Sequence, residues 1–158
     1  MTISRVRIAH HAVVRDHGSL VTVGLGSCVA IAIYEPTSRV GGLAHVLLPE
    51  AMRGVVVESR ARFASTAVPL LVEEMRGLGA SGPLVAKLAG GARLFGNVLS
   101  TASSVGTRNI EAARAALVKA QVTLIAEDVG GEVGRTVTFD VADGSLKVRS
   151  VRGGERVL

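Results

Sequence analysis

The chain has 158 residues, of which 48% are hydrophobic and 3% aromatic, and its formal net charge is +5. This composition excludes a disordered or fibrous protein and predicts one globular domain over residues 1–158. Its apolar runs fall well short of the ~18 residues that a membrane span needs, and the N-terminal residues lack the apolar segment of a signal peptide. A single cysteine excludes an internal disulfide, so we expect a cytoplasmic protein.

The positive charge is typical of a protein with acidic partners. Single-strand nucleic-acid binders place aromatic side chains beside their basic ones. This chain has one Tyr, three Phe and no Trp, and its Lys and Arg residues are scattered. We therefore expect no nucleic-acid partner, and we interpret the charge as suited to an acidic protein surface or to solubility.

Apolar and β-branched residues predict four strands in the first half of the chain, at residues 4–8, 19–24, 29–34 and 40–48. The first is the weakest, because its alternation is incomplete. A turn at Pro36-Thr37-Ser38 precedes the fourth strand, which Pro49 ends. We expect these pieces to form a hairpin that carries Cys28 near one end.

The period of the apolar residues changes in the second half. Spacings of three and four residues predict amphipathic helices at 60–78 and 109–120. Further strands are predicted at 83–88 and 122–126, and Asp143-Gly144 marks a hairpin within residues 134–151. Strands and helices do not alternate strictly, which favours an α+β layered sandwich of mixed or antiparallel sheets with two main helices.

Cys28 follows Gly24-Leu25-Gly26-Ser27, between two of the predicted strands. Glycine permits backbone angles that are closed to other residues, so a sharp turn here is expected to hold the thiol toward a cleft. Successive N–H groups in such a turn point into one concavity, and those of Ser27 and Cys28 are candidates for binding an oxyanion. The alternative is that Cys28 is an inert core residue.

A thiol nucleophile needs a base, and the chain offers four histidines. His10 and His11 are sequence neighbours and are interpreted as an exposed pair, while His17 lies in a predicted turn. His45 lies among apolar residues in the strand expected to pair with the Cys28-bearing one, which favours a Cys–His pair. A structural histidine is the alternative.

Thr22 lies on the strand that enters the Cys28 turn. Its hydroxyl is a candidate to accept the second imidazole N–H of His45 and so to fix the tautomer; the alternative is an ordinary strand threonine. No metal site is expected, because the His and Cys residues lack CxxC, HxxH or HExxH spacing. A phosphate-binding loop is not expected either, because the glycine-rich turn lacks the Lys-Ser/Thr of a P-loop.

Lined up with Thr22 and His45, the Cys28 turn resembles the signature of the CheD family, the chemoreceptor glutamine deamidases of bacterial chemotaxis. The segment "VTVGLGSCVAIAIYEPTSRVGGLAHVLLP" carries T-x-G-x-G-S-C followed by G-x-x-H-x-x-L-P. The similarity continues through "STAVPLLVEEM", "AKLAGGARLF", "GTRNIEAARAAL" and "LIAEDVGGEVGRTVTF", and so covers nearly the whole chain. Glu35 and Phe63 stand where the family more often has Asp and Tyr.

The resemblance implies a sandwich of sheets with the helices on one side, a fold shared with toxin deamidases. It implies that Cys28 is the nucleophile, His45 its acid–base partner and Thr22 the group that orients His45, without a cofactor. We expect a lowered Cys28 pKa from a nearby imidazolium. Because the substrate is a folded helix, we expect a shallow, open site.

The implied substrate is a set of glutamine side chains in the helical cytoplasmic region of methyl-accepting chemotaxis receptors. A CheC-family phosphatase is a further implied partner, and we expect a monomer without membrane insertion. Two other hypotheses stay open: a non-catalytic chemotaxis adaptor, and a cysteine peptidase or small-molecule amidase. Gly90 and Gly91 are candidates for close approach by the substrate backbone, with a tight structural turn as the alternative.

Overall fold

The computed structural model describes residues 2–54, 57–93 and 104–158. The described strands are β1 (Ile3–Arg5), β2 (His11–Arg15), β3 (Ser19–Leu25), β4 (Val29–Glu35), β5 (Val40–Val46), β6 (Val85–Gly90), β7 (Thr123–Val129), β8 (Arg135–Asp140), β9 (Ser145–Ser150) and β10 (Glu155–Val157). The helices are α1 (Ala64–Gly77), preceded by a 3-10 turn at Arg60–Arg62, and α2 (Val105–Lys119). Neither helix has the length and apolar character required to cross a bilayer.

The strands form two five-stranded sheets. The outer sheet has the order β1-β3-β8-β9-β10, and the middle sheet has the order β2-β5-β4-β6-β7. Both sheets are mixed, because the β1–β3 and β6–β7 pairs are parallel while the other neighbours are antiparallel. The confirmed architecture is therefore an α+β sandwich.

Both helices contact the middle sheet, which gives three layers: helices, middle sheet and outer sheet. One apolar core lies between the helices and the middle sheet, and a second lies between the two sheets. Every residue of β4 and β5 is buried, since these central strands are covered on both faces. Alternate side chains of β4 face opposite cores, and Ala30, Ala32 and Tyr34 belong to the one between the sheets.

The expected hairpin is partly wrong. The β4 and β5 strands do pair, but β3 belongs to the other sheet, so the turn before β4 crosses between layers. A glycine-rich turn between two apolar runs has the same sequence pattern in a hairpin and in a crossing between two sheets. Only the pairing of the flanking strands distinguishes the two arrangements. The short edge strands β2 and β10 were not predicted, because their few residues carry no sustained alternation.

The helix boundaries also differ from the predicted ones. The first predicted helix began at residue 60, whereas residues 60–62 form a 3-10 turn and α1 begins at Ala64. The second begins at Val105, four residues before its predicted start, because the Ser104 hydroxyl caps it by accepting the Thr107 N–H at 3.2 Å. The helices thus lie where the apolar period predicts, and their ends are set by local capping.

Candidate active site

The three residues of 26–28 carry the chain from the end of β3 in the outer sheet to the start of β4 in the middle sheet. Of the two glycines expected to relax this turn, Gly24 adopts a positive φ of 71°, and it lies in an irregular part of the β3–β8 pairing. The residue that follows the crossing is Cys28. The thiol is therefore held at a junction of the two sheets.

Backbone hydrogen bonds hold this turn on both sides of Ser27. The Gly26 carbonyl accepts the Ala92 N–H at 2.8 Å, and the Cys28 carbonyl accepts the Gly91 N–H at 2.8 Å. Because a trans peptide is planar, fixing the Gly26 carbonyl also fixes the Ser27 N–H, which points the opposite way. Within the described ranges, neither the Ser27 nor the Cys28 N–H donates to a backbone carbonyl.

Gly90 and Gly91 pack against the turn that carries the thiol. A Cβ on Gly90 would lie 2.3 Å from the Cys28 carbonyl oxygen, and a Cβ on Gly91 would lie 2.4 Å from the Ile110 side chain. Both glycines also have a positive φ, of 109° and 69°. Close packing and backbone conformation therefore explain why both residues are glycine, as expected for a tight structural turn. A contact between either glycine and a substrate stays a prediction.

His45 lies on β5 directly opposite Ala30, which is two residues beyond Cys28 on β4. Side chains at such diagonal positions share one face of a sheet and lie within reach of long side chains. Cys28 belongs to the core between the sheets, where Thr22 of β3 contacts His45. Three elements thus bring the three sequence-predicted side chains to one region.

The site is not open as expected. Cys28 is 6% exposed, and Thr22 and His45 are fully buried. The physical reason is that the thiol and the imidazole point between the two sheets, so the layers themselves cover them. A substrate must enter between the layers to meet the sulfur.

A chain of hydrogen bonds fixes the proton of His45. The Thr22 hydroxyl donates to the Val6 carbonyl at 2.5 Å and lies 2.6 Å from Nδ1 of His45. A carbonyl only accepts, so the single hydroxyl hydrogen of Thr22 is used on Val6. Thr22 therefore accepts from His45, which places the imidazole proton on Nδ1 and leaves a bare lone pair on Nε2.

Nε2 of His45 is buried and has no hydrogen-bond partner among the described residues, Sγ of Cys28 included. An available lone pair on a ring nitrogen is what a general base requires. Hydrogen bonds between a nucleophile and its base are often long in the free enzyme and tighten with substrate. The arrangement is that of an imidazole whose Nε2 lone pair is available, on the face of the middle sheet that carries Cys28, without a hydrogen bond to the thiol.

The protonation states differ from the expected thiolate–imidazolium pair. Burial raises the pKa of the Cys28 thiol, and the residue's own backbone N–H offsets part of that rise. Burial also lowers the pKa of His45 to about 4, because the site disfavours the charged ring. Both groups are therefore neutral at neutral pH, and the imidazole is a free base that can accept the thiol proton.

We expect Cys28 to remain a thiol at neutral pH in the free protein. The ultraviolet absorbance of thiolate, taken as wild type minus Cys28→Ser, should appear only at a pH above the range in which an ordinary cysteine thiol ionises, because burial raises the pKa of Cys28. The subtraction removes the contribution of Tyr34, the one tyrosine. A thiolate signal at neutral pH that disappears in His45→Ala would contradict the neutral pair.

The other histidines lie outside this arrangement. His10 is exposed and its Nδ1 lies 3.0 Å from the Ile8 carbonyl, while His11 is half-buried and contacts Glu74 at 2.8 Å, so they are not the exposed pair expected. The reason is that His11 begins the unpredicted strand β2, which brings it against α1. The described residues hold no cluster of three metal-ligating side chains.

Two contributors to the site were missed by sequence reasoning. Val6 contributes its backbone carbonyl, which every residue type has, so the sequence contained no signal for it. Asn109 did leave one: it precedes Ala113 and Leu117 by four and eight residues, on the apolar face of α2. Its buried Nδ2 donates to the carbonyls of Ser27 and Leu47, at 2.9 and 3.0 Å.

Comparisons with known proteins identify the family to which this chain is similar. Residues 47–150 match the family model described as CheD chemotactic sensory transduction. A probable chemoreceptor glutamine deamidase of Geobacter metallireducens is 48% identical over 150 residues, 93% of each chain. One of Pyrococcus abyssi is 43% identical over 152 residues, covering 96% of this chain and 93% of that protein.

A third relative, the chemoreceptor glutamine deamidase of Thermotoga maritima, is 41% identical over 153 residues, covering 96% of this chain and 94% of its own. The family model spans more than half of the chain, and these relatives cover nearly all of it. The resemblance inferred from the sequence is thereby confirmed, and the chain belongs to the CheD family.

Proposed function

We propose that this chain is a protein-glutamine deamidase that converts specific glutamine side chains of chemotaxis receptors to glutamate and releases ammonia. The printed names of its relatives give this activity to those proteins. The observation that carries the proposal is Nε2 of His45, a buried and unprotonated ring nitrogen on the side of the sheet that carries Cys28. Such a nitrogen is suited to take the proton of a thiol nucleophile.

In the first half of the reaction, Nε2 of His45 accepts the thiol proton while Sγ of Cys28 attacks the carboxamide carbon of the substrate. The oxyanion that forms accepts hydrogen bonds from the Ser27 and Cys28 N–H groups. The imidazolium then returns its proton to the departing nitrogen, the carbon–nitrogen bond breaks and ammonia leaves. The product of this half is a γ-glutamyl thioester on Cys28.

In the second half, Nε2 of His45 takes a proton from water, and the resulting hydroxide attacks the thioester carbon. The carbon–sulfur bond breaks, glutamate leaves, and the imidazolium reprotonates the sulfur. Thr22 keeps the proton of His45 on Nδ1 throughout, through its own bond to the Val6 carbonyl. The neutral resting pair is thus restored at the end of each turnover.

The recessed thiol supports a side-chain amide as substrate rather than a peptide bond. A glutamine side chain carries its carboxamide beyond two methylene groups and can reach the thiol of a residue that is 6% exposed. A backbone amide would have to bring its flanking residues into the same recess. This argues against the peptidase hypothesis.

We further propose that the substrate is the helical cytoplasmic region of the receptor and that the enzyme acts in the cytoplasm as a monomer. The formal charge of +5 favours encounter with an acidic partner. A CheC-family phosphatase is proposed as a second partner, competing with the receptor for one surface.

The second candidate function is a chemotaxis adaptor that binds receptor or phosphatase without turnover. The observations in its favour are the burial of Cys28, its raised pKa, and the lack of a hydrogen bond between its sulfur and Nε2 of His45. Turnover measurements separate this function from the deamidase.

The test uses a folded receptor cytoplasmic fragment that contains glutamine, incubated with the purified chain. We expect ammonia release and a mass gain of about 1 Da per converted glutamine, and no activity for Cys28→Ala or His45→Ala. His11→Ala is the matched control, because this histidine contacts Glu74 outside the site, and it should retain activity.

The alternatives give other outcomes in the same assay. Equal activity in Cys28→Ala would rule out the mechanism, and receptor binding by a wild type without turnover would support the adaptor. Hydrolysis of short peptides or free amides would support the peptidase or small-molecule amidase instead.

A further inference from the structure

Asn109 is a fully buried polar side chain on the apolar face of α2. Burying an amide without hydrogen bonds costs free energy, so its partners explain its presence. Its Nδ2 donates to the Ser27 carbonyl at 2.9 Å and to the Leu47 carbonyl at 3.0 Å. An amide has two N–H donors, and both are used here.

These two carbonyls belong to the two segments that carry the proposed chemistry. Ser27 immediately precedes Cys28, and Leu47 follows His45 by two residues. Because carbonyls only accept, the amide has one orientation, with nitrogen toward both segments and oxygen away from them. One side chain therefore joins the turn that holds the thiol to the end of the strand that holds the base.

The bond to Ser27 also fixes a proposed oxyanion donor. The Ser27 carbonyl and the Cys28 N–H belong to one planar peptide, and in a trans peptide they point in opposite directions. Holding the carbonyl against α2 therefore directs the Cys28 N–H away from the helix. The carbonyls of Gly26 and Cys28 are held by backbone N–H groups. Among the three carbonyls of residues 26–28, only that of Ser27 is held by a side chain of the described residues.

The oxygen of the same amide does not account for an asparagine at this position. Oδ1 of Asn109 is buried and accepts no hydrogen bond within the described residues. A leucine of similar shape would remove that unpaired acceptor. What leucine could not supply is the pair of N–H donors to the two carbonyls.

We infer that Asn109 is a positioning residue for deamidation: it orients the Ser27–Cys28 peptide so that the Cys28 N–H stabilises the oxyanion. The inference rests on the proposed function, in which an oxyanion forms on the glutamine carboxamide. Asn109 does not contact the reacting atoms; it acts through the backbone next to the nucleophile.

The test compares two reactions of Cys28 in wild type and in Asn109→Leu. Deamidation of a receptor fragment develops an oxyanion, whereas alkylation by iodoacetamide displaces iodide at a methylene carbon and develops none. We expect kcat for deamidation to fall by about a hundredfold, the typical effect of one oxyanion donor. KM and the alkylation rate should stay within about twofold of the wild type.

Leu117→Ala is the matched control, since Leu117 is buried on the same helix two turns away. It should lower the unfolding temperature and leave both rates near those of the wild type. Asn109→Ser, which keeps one donor, serves as the second variant if Asn109→Leu does not fold, and it should give an intermediate kcat. A kcat in Asn109→Leu close to the wild-type value, or an alkylation rate that falls in parallel with kcat, would overturn the inference.

A spectroscopic measurement separates this inference from the proposed function. In amide NMR spectra of the free protein, Asn109→Leu should shift the Cys28 resonance more than Leu117→Ala does, since the N–H changes direction. If the wild type deamidates no receptor fragment, the proposed function fails. The NMR shift still tests whether Asn109 orients the Cys28 N–H. An unmoved Cys28 resonance would refute it.

Discussion

Replacing Thr22 with valine is expected to lower kcat for receptor deamidation by about a hundredfold, the lower end of what a positioned acid–base group contributes. Valine keeps the shape of threonine and removes only the hydroxyl. The His45 Nδ1–H then loses its acceptor and the Val6 carbonyl loses its donor. The imidazole proton is no longer held on Nδ1, and the tautomer with a protonated Nε2 cannot accept the thiol proton.

Thr22→Ser is the control, because serine keeps the hydroxyl and with it both hydrogen bonds. Its kcat should stay within a few-fold of the wild type. Nitrogen NMR of labelled histidine reports the tautomer directly and should find the proton on Nδ1 in wild type and Thr22→Ser. A wild-type His45 with its proton on Nε2, or a fully active Thr22→Val, would contradict the role assigned to Thr22.

The side chains of the site could be predicted from the sequence because each has a recognisable chemistry at a recognisable spacing. The thiol of Cys28 follows a glycine-rich turn. His45 lies on a predicted strand that was expected to pair with the strand after Cys28, and Thr22 lies on the predicted strand before the turn. Asn109 could also have been predicted from the sequence, because an amide on the apolar face of a helix requires buried hydrogen-bond partners. The periodic segments likewise predicted both helices and most strands.

What the sequence did not contain is the environment of these groups. The same turn pattern serves a hairpin and a crossing between sheets, and the crossing is what buries Cys28 between the layers. That burial reverses the expected charge state, because it raises the pKa of the thiol and lowers that of His45. A backbone carbonyl such as that of Val6 has no residue type to recognise.

The unpaired polar atoms of the described residues concentrate at this site. The two buried side-chain atoms without a hydrogen-bond partner are Nε2 of His45 and Oδ1 of Asn109. Both atoms belong to residues to which the proposed deamidation assigns a role, His45 as the base and Asn109 as the residue that orients the Ser27–Cys28 peptide.

The free energy of unfolding is expected to fall by about 3 kcal/mol between pH 6.5 and pH 4 because of His45 alone. The folded protein holds this ring neutral, with a pKa of about 4, whereas in the unfolded chain the pKa is near its ordinary 6.5. Between these values the unfolded state binds the extra proton, so each pH unit of acidification costs about 1.4 kcal/mol. Well above pH 6.5 the ring is neutral in both states and contributes no pH dependence.

His45→Gln removes this titration while keeping a polar side chain in the site. Urea unfolding of both proteins at several pH values gives the difference in stability, from which the carboxylates common to both proteins cancel. The wild type should be the more stable at pH 7, and its advantage should shrink by about 3 kcal/mol as the pH falls to 4. If the free energies of unfolding of the two proteins fell in parallel with pH, the folded protein would accommodate an imidazolium. The thiolate–imidazolium pair would then replace the neutral thiol–imidazole pair as the resting state. The stability of the folded chain thus tests the charge state from which the proposed deamidation begins.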